Sequence, residues 1–132
     1  MKFLLDANVI VSALLSPESN AAKLLMGAAE GALDLLVPAE LVRELEGVLS
    51  RPKFAHRIDP RAKVALSRRL RAIIQSTAGS PVRFDPDPGD AYLLRAAIAH
   101  RAILVTGDKD LLSAKLPFPV LTPRQACDAL FT

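Results

Sequence analysis

Apolar residues recur along this chain in two rhythms, short unbroken runs and stripes at helical spacing, and the two alternate. Lys2 to Leu5 reads as a short buried strand, followed by a helix from Asn8 to Leu15 that ends near Ser16-Pro17, because a residue before proline avoids helical angles. Asn20 is placed to cap a second helix running to Glu30, with Ala21, Leu24, Leu25 and Ala28 on one face and Gly31 as its stop. Leu33 to Val37 returns as a strand. Pro38 suits the first turn of a third helix, whose Leu41, Val42, Leu45, Val48 and Leu49 fall in one stripe before Ser50-Arg51-Pro52.

A fourth helix is expected from Pro60, with Leu66, Leu70, Ile73 and Ile74 on its apolar side, until Gly79-Ser80-Pro81 breaks it. Val82 to Phe84 is a candidate third strand. The prolines and glycine of Asp85-Pro86-Asp87-Pro88-Gly89-Asp90 forbid both regular structures, so this segment is a loop leading into a helix. That helix carries Leu93, Leu94, Ala97 and Ile98 on its buried face. Ile103 to Val105 is a fourth strand, Asp108 to Ala114 a short helix, Phe118 to Leu121 a fifth strand, and a terminal segment starts at Pro123. Strands separated by helices imply right-handed crossovers and a mainly parallel α/β sheet with helices on both faces.

The 132 residues suit one domain, and with 51% of them hydrophobic the chain can bury roughly two thirds of its unfolded surface. A single cysteine, Cys127, excludes an internal disulfide and a cysteine-based zinc cluster, and is expected to be a small buried or half-buried apolar residue. Asp6 and Asn8 interrupt the apolar amino terminus too soon for a secretory segment, and no window reaches the roughly 18 apolar residues of a membrane span. A soluble, cytoplasmic protein is the expectation. The net charge of +3 slightly favours a polyanionic partner.

Four acids stand where strand ends and helix starts would converge: Asp6, Glu44, Asp90 and Asp108. Residues just beyond the carboxyl ends of adjacent parallel strands share one crevice, so Asp6 and Asp108 can meet there. Clustered carboxylates are the hard oxygen donors that Mg²⁺ requires. Each position also has a structural reading. Asp6 and Asp90 are placed to cap helices, and for the short helix after Gly107 the cap is open between Asp108 and Asp110. Glu44 lies at one edge of the apolar stripe near Leu41 and Val48, Glu46 flanks the other edge, and periodicity does not choose between them.

Four motifs in order resemble one family. Asp6-Ala7-Asn8-Val9-Ile10-Val11-Ser12-Ala13 is similar to the opening of PIN-domain proteins. Leu41-Val42-Arg43-Glu44-Leu45, with Val48-Leu49-Ser50-Arg51-Pro52-Lys53-Phe54, resembles a PIN subgroup of toxins from toxin-antitoxin modules, the VapC-like ribonucleases. Asp90-Ala91-Tyr92-Leu93 and Val105-Thr106-Gly107-Asp108-Lys109-Asp110-Leu111-Leu112 complete the likeness. It implies a three-layer α/β/α domain with strand order 3-2-1-4-5 and an endoribonuclease dependent on Mg²⁺ or Mn²⁺. Its metal-binding acids would be Asp6, Glu44, Asp90 and Asp108, supported by Asn8, Thr106 and Asp110, with the metal activating water for in-line attack on RNA. A cognate antitoxin and a homodimer are implied as partners. Ala7, where threonine or serine is common, and Gly89, where an acid often stands, are departures that spare every expected ligand.

Other classes fit less well. Haloacid-dehalogenase-type phosphohydrolases also place an aspartate after the first strand, but need a second two residues later, where this chain has Asn8. Serines such as Ser12 and Ser16 lack a histidine at recognisable spacing, and His56 and His100 read as surface or loop residues. The basic run Arg61, Lys63, Arg68, Arg69 and Arg71 would follow a phosphate backbone, dock an acidic antitoxin segment, or form a solvated face. A PIN fold serving as a binding module with little cleavage is the principal alternative.

Overall fold

The computed structural model describes residues 2–72, 74–75 and 91–131. Its elements, in chain order, are β1 (Lys2–Leu5), α1 (Ala7–Leu15), α2 (Asn20–Ala29), β2 (Asp34–Leu35), β3 (Val37–Pro38), α3 (Ala39–Leu49) and α4 (Pro52–Ala55). They continue as α5 (Pro60–Ala72), β4 (Ile74–Gln75), α6 (Ala91–His100), β5 (Ile103–Val105), α7 (Lys109–Ser113), β6 (Val120–Leu121) and α8 (Pro123–Phe131).

Among the described residues the strands are all parallel, in a four-stranded sheet of order β2-β1-β5-β6 and a two-stranded one of β3 with β4. The expected α/β architecture is therefore present. The second expected strand divides at Leu36, whose N–H still donates to the Phe3 carbonyl at 2.8 Å. Its first piece pairs with β1, and its second pairs with Ile74–Gln75. Phe3, Leu4 and Leu5 are all buried although they alternate in direction, so both faces of the sheet are covered.

Local chemistry sets the helix ends. Ser16 ends α1, with its N–H bonded to the Ser12 carbonyl. Ser19, rather than Asn20, caps α2: its hydroxyl accepts from the Ala22 N–H at 3.1 Å, and Asn20 is the first helical residue. Capping needs side-chain oxygen just before the helix, and Ser19 has that place. Gly31 has φ +81° with no neighbour near where a Cβ would be, so backbone conformation alone selects glycine after α2. The α3 stripe is buried as expected.

Two further expectations need correction. The fourth helix stops at Ala72, and Ile74 lies in β4, where pairing with Val37 overrides the helical period. Ile98 is 37% exposed, beside the buried Ala96 and Ala97, because α6 packs on a narrower arc than its composition suggests. The chain after Ser50 forms the short helix α4 before α5. The candidate strand Val82 to Phe84, the loop from Asp85 and Asp90 itself lie outside the described residues, as does Ile73.

Cys127 is buried and its thiol donates to the Asn20 carbonyl at 3.3 Å, joining α8 to α2. No helix among the described residues is long and apolar enough to cross a membrane.

Candidate functional site

The site begins with the register of β1 and β5, in which Leu5 lies opposite Val105. The Asp6 N–H extends this ladder to the Val105 carbonyl at 3.0 Å. Asp6 and Thr106 thus leave the carboxyl ends of neighbouring strands together, where a parallel sheet opens its crevice. Each chain then turns into a helix capped by an acid. Asp6 Oδ1 accepts from the Asn8 N–H at 3.3 Å to start α1, and Asp108 Oδ1 accepts from the Asp110 N–H at 2.9 Å to start α7. The capping reading of both acids is realised, through one oxygen of each.

Thr106 joins them. Its hydroxyl donates to Asp6 Oδ2 at 2.8 Å and accepts from the Asp108 N–H at 3.0 Å. Thr106 is fully buried and Asp6 is 5% exposed, so the carboxylate is held by fixed protein dipoles rather than by water. Burial pushes the Asp6 carboxyl above the usual aspartate range. The bonds from Thr106 and Asn8 oppose this, and the charge of Asp108 adds to it.

An ionised carboxylate offers about four lone-pair directions, and the bonds from Asn8 and Thr106 occupy one on each Asp6 oxygen. Two hard acidic groups, one of them desolvated and repelled by the other, form a donor set that suits a Mg²⁺- or Mn²⁺-class cation. Among the described residues, no three or more acidic, histidine or cysteine side chains converge as a metal cluster. Glu44 does not complete one with Asp6 and Asp108.

The three acids on α3 have different surroundings. Glu40 Oε2 lies 3.7 Å from the Arg95 guanidinium, and Glu46 pairs with Arg71. Glu44 instead accepts a hydrogen bond from the hydroxyl of Tyr92, near the start of α6. Tyr92 was not singled out by spacing. The available signal was that the chain's one tyrosine stands two residues after Asp90, on an otherwise aliphatic helix face. Of the supporting positions, Thr106 holds Asp6 directly, whereas Asn8 and Asp110 are exposed and contribute their backbone N–H groups. His56 is exposed, and His100 is half-buried in the last turn of α6.

A family model described as "PIN domain" matches residues 2–110. The chain belongs to the PIN domain family. The matched span of this PIN domain opens at β1 and closes inside α7, so it takes in Asp6, Glu44, Asp90 and Asp108. The fold is similar to a chain in a crystal structure of VapBC2 from Rickettsia felis, bound there to a DNA fragment from their promoter. That similarity has a TM-score of 0.61 at 16% identity, and covers 92% of this PIN domain and 98% of the other chain. Among curated proteins, none matches it in sequence.

Proposed function

We propose that this PIN domain is an endoribonuclease dependent on Mg²⁺ or Mn²⁺ and acts as the toxin of a toxin-antitoxin pair. The observation that carries the reading is the buried Asp6 carboxylate, strained electrostatically by burial and by Asp108 at the open end of the sheet. A structural aspartate needs only its cap. A charge kept out of water beside a second acid is stabilised most simply by a cation.

Asp6, Glu44 and Asp90 are the residues we assign to hold the ion, with Asp108 assisting through water or at a second ion. When bound, such an ion makes a water more acidic and neutralises charge on the leaving oxygen. The chain's own part is to fix the donors. Thr106 anchors one Asp6 oxygen, the α1 backbone anchors the other, and burial keeps competing water from the carboxylate. No histidine is assigned as general base.

The antitoxin reading has separate support. Leu25, Ala28, Leu35, Leu66 and Leu70 line an open apolar cleft of about 310 Å³ between α2 and α5, with Arg69 also on its wall. Exposed Arg61 and Arg68 continue the positive charge along α5. An acidic segment with apolar anchors fits that surface by charge and polarity. We assign RNA as substrate, a cytoplasmic setting and a homodimer on the same family resemblance.

The test is cleavage of total RNA and transfer RNA by purified protein with Mn²⁺ or Mg²⁺, beside EDTA and an Asp6→Asn variant prepared identically. The expected result is cleavage by the metal-loaded parent alone. Equal cleavage by both proteins, or none by either alongside absent Mn²⁺ binding, would sink the nuclease reading and favour a binding module.

A further inference from the structure

We infer that Tyr92 is a positioning residue whose phenol engages one Glu44 oxygen and leaves that carboxylate's charge available to a divalent cation. The inference deepens the proposed metal reading and rests on it. Glu44 has a flexible side chain on an exposed part of α3, so unassisted it would sample many rotamers. Tyr92 is 7% exposed, and packing of its ring fixes the place from which the hydroxyl donates.

The type of donor matters as much as its place. Arg95 and Arg71 bring positive charge to Glu40 and Glu46, which lowers the attraction those acids have for another cation. A phenol orients without neutralising, since it donates a hydrogen bond as a neutral group, whereas a guanidinium brings a full positive charge. Among the described residues, no guanidinium or ammonium pairs with Glu44. This contrast separates Glu44 from Glu46, which helical periodicity did not. Tyr92 lies one turn or less from the start of α6, so its bond also ties α3 to the helix that follows Asp90 in sequence.

The chain has one tyrosine and no tryptophan, so tyrosine emission reports on this hydroxyl alone. A carboxylate acceptor quenches a phenol by taking its proton in the excited state. Glu44→Gln should therefore brighten the emission. Mg²⁺ should change it in the parent and leave the Glu44→Gln protein unaffected. Tyr92→Phe should weaken Mn²⁺ binding in calorimetry by about 10- to 100-fold, as loss of an orienting partner typically does. The double variant should bind no more weakly than Glu44→Gln alone, and urea midpoints would show that each protein is folded.

Parent-like Mn²⁺ affinity in folded Tyr92→Phe, or a further loss in the double variant, would overturn the inference while leaving the metal site standing. A parent that binds no Mn²⁺ would overturn both. If Tyr92→Phe does not fold, the emission arm decides: a Mg²⁺ response equal in parent and Glu44→Gln refutes the positioning role.

Discussion

Replacing Thr106 with valine keeps the shape of the side chain and removes the oxygen that joins the two acids. Two hydrogen bonds are lost, one donated to the buried Asp6 carboxylate and one accepted from the Asp108 N–H. A bond to a charged group is worth about 1.5–3 kcal/mol and an ordinary one about 0.5–1.5 kcal/mol, so Thr106→Val should cost about 2–4 kcal/mol at neutral pH. For a chain of this size that lowers Tm by about 6–20 °C. The penalty depends on pH in a defined direction. Thr106 lowers the Asp6 pKa by favouring the carboxylate, so removing it raises that pKa further by destabilising the ionised form. The cost should therefore grow as pH rises through the parent's Asp6 pKa and shrink below it, where the carboxyl is protonated in both proteins. Urea unfolding of metal-free protein across this range would measure it, in the parent and in an Asp6→Asn background. In that background the partner is neutral, and the cost should fall to about 1–2 kcal/mol. A penalty below about 0.5 kcal/mol at neutral pH, or one equal in both backgrounds, would refute the description of Thr106 as the anchor of a buried charge.

Asp6→Asn itself should stabilise the metal-free protein at neutral pH. A carboxyl whose folded pKa is raised favours folding below its unfolded value of about 3.9, and that advantage is lost as pH rises through the folded pKa. Asparagine retains the cap on α1, so denaturation midpoints should converge at acid pH and diverge above the folded pKa. No divergence would mean that the Asp6 carboxylate carries no electrostatic penalty. Ser19→Ala should cost about 1 kcal/mol by urea unfolding, and Asn20→Ala close to nothing, because only Ser19 caps α2. The opposite ranking would restore Asn20 as the cap.

Much of the fold was legible from local pattern. Three-residue apolar runs could be buried only as strands covered on both faces, and the stripe of Leu41, Val42, Leu45, Val48 and Leu49 could be buried only as one side of a helix. Misreadings arose where pairing or packing overruled the local period. Ile74 completes a helical stripe in sequence, yet its strand bonds to Val37 place it in β4. Ile98 continues an apolar face that α6 only partly buries.

For the site, sequence alone put Asp6 and Asp108 just beyond strands and beside helix starts, because that depends on immediate neighbours. It left ligation or capping open for Asp6, and left the cap of the short helix open between Asp108 and Asp110. Tertiary structure decided that the two acids meet through buried Thr106, a hundred positions from Asp6, and that burial raises the Asp6 pKa. It also separated Glu44, held by Tyr92 forty-eight positions away, from Glu46, paired with Arg71 twenty-five positions away. The physical reason is range. Periodicity and capping act over about one helical turn, whereas desolvation and the partner of a charge are set by whatever the folded chain brings beside it.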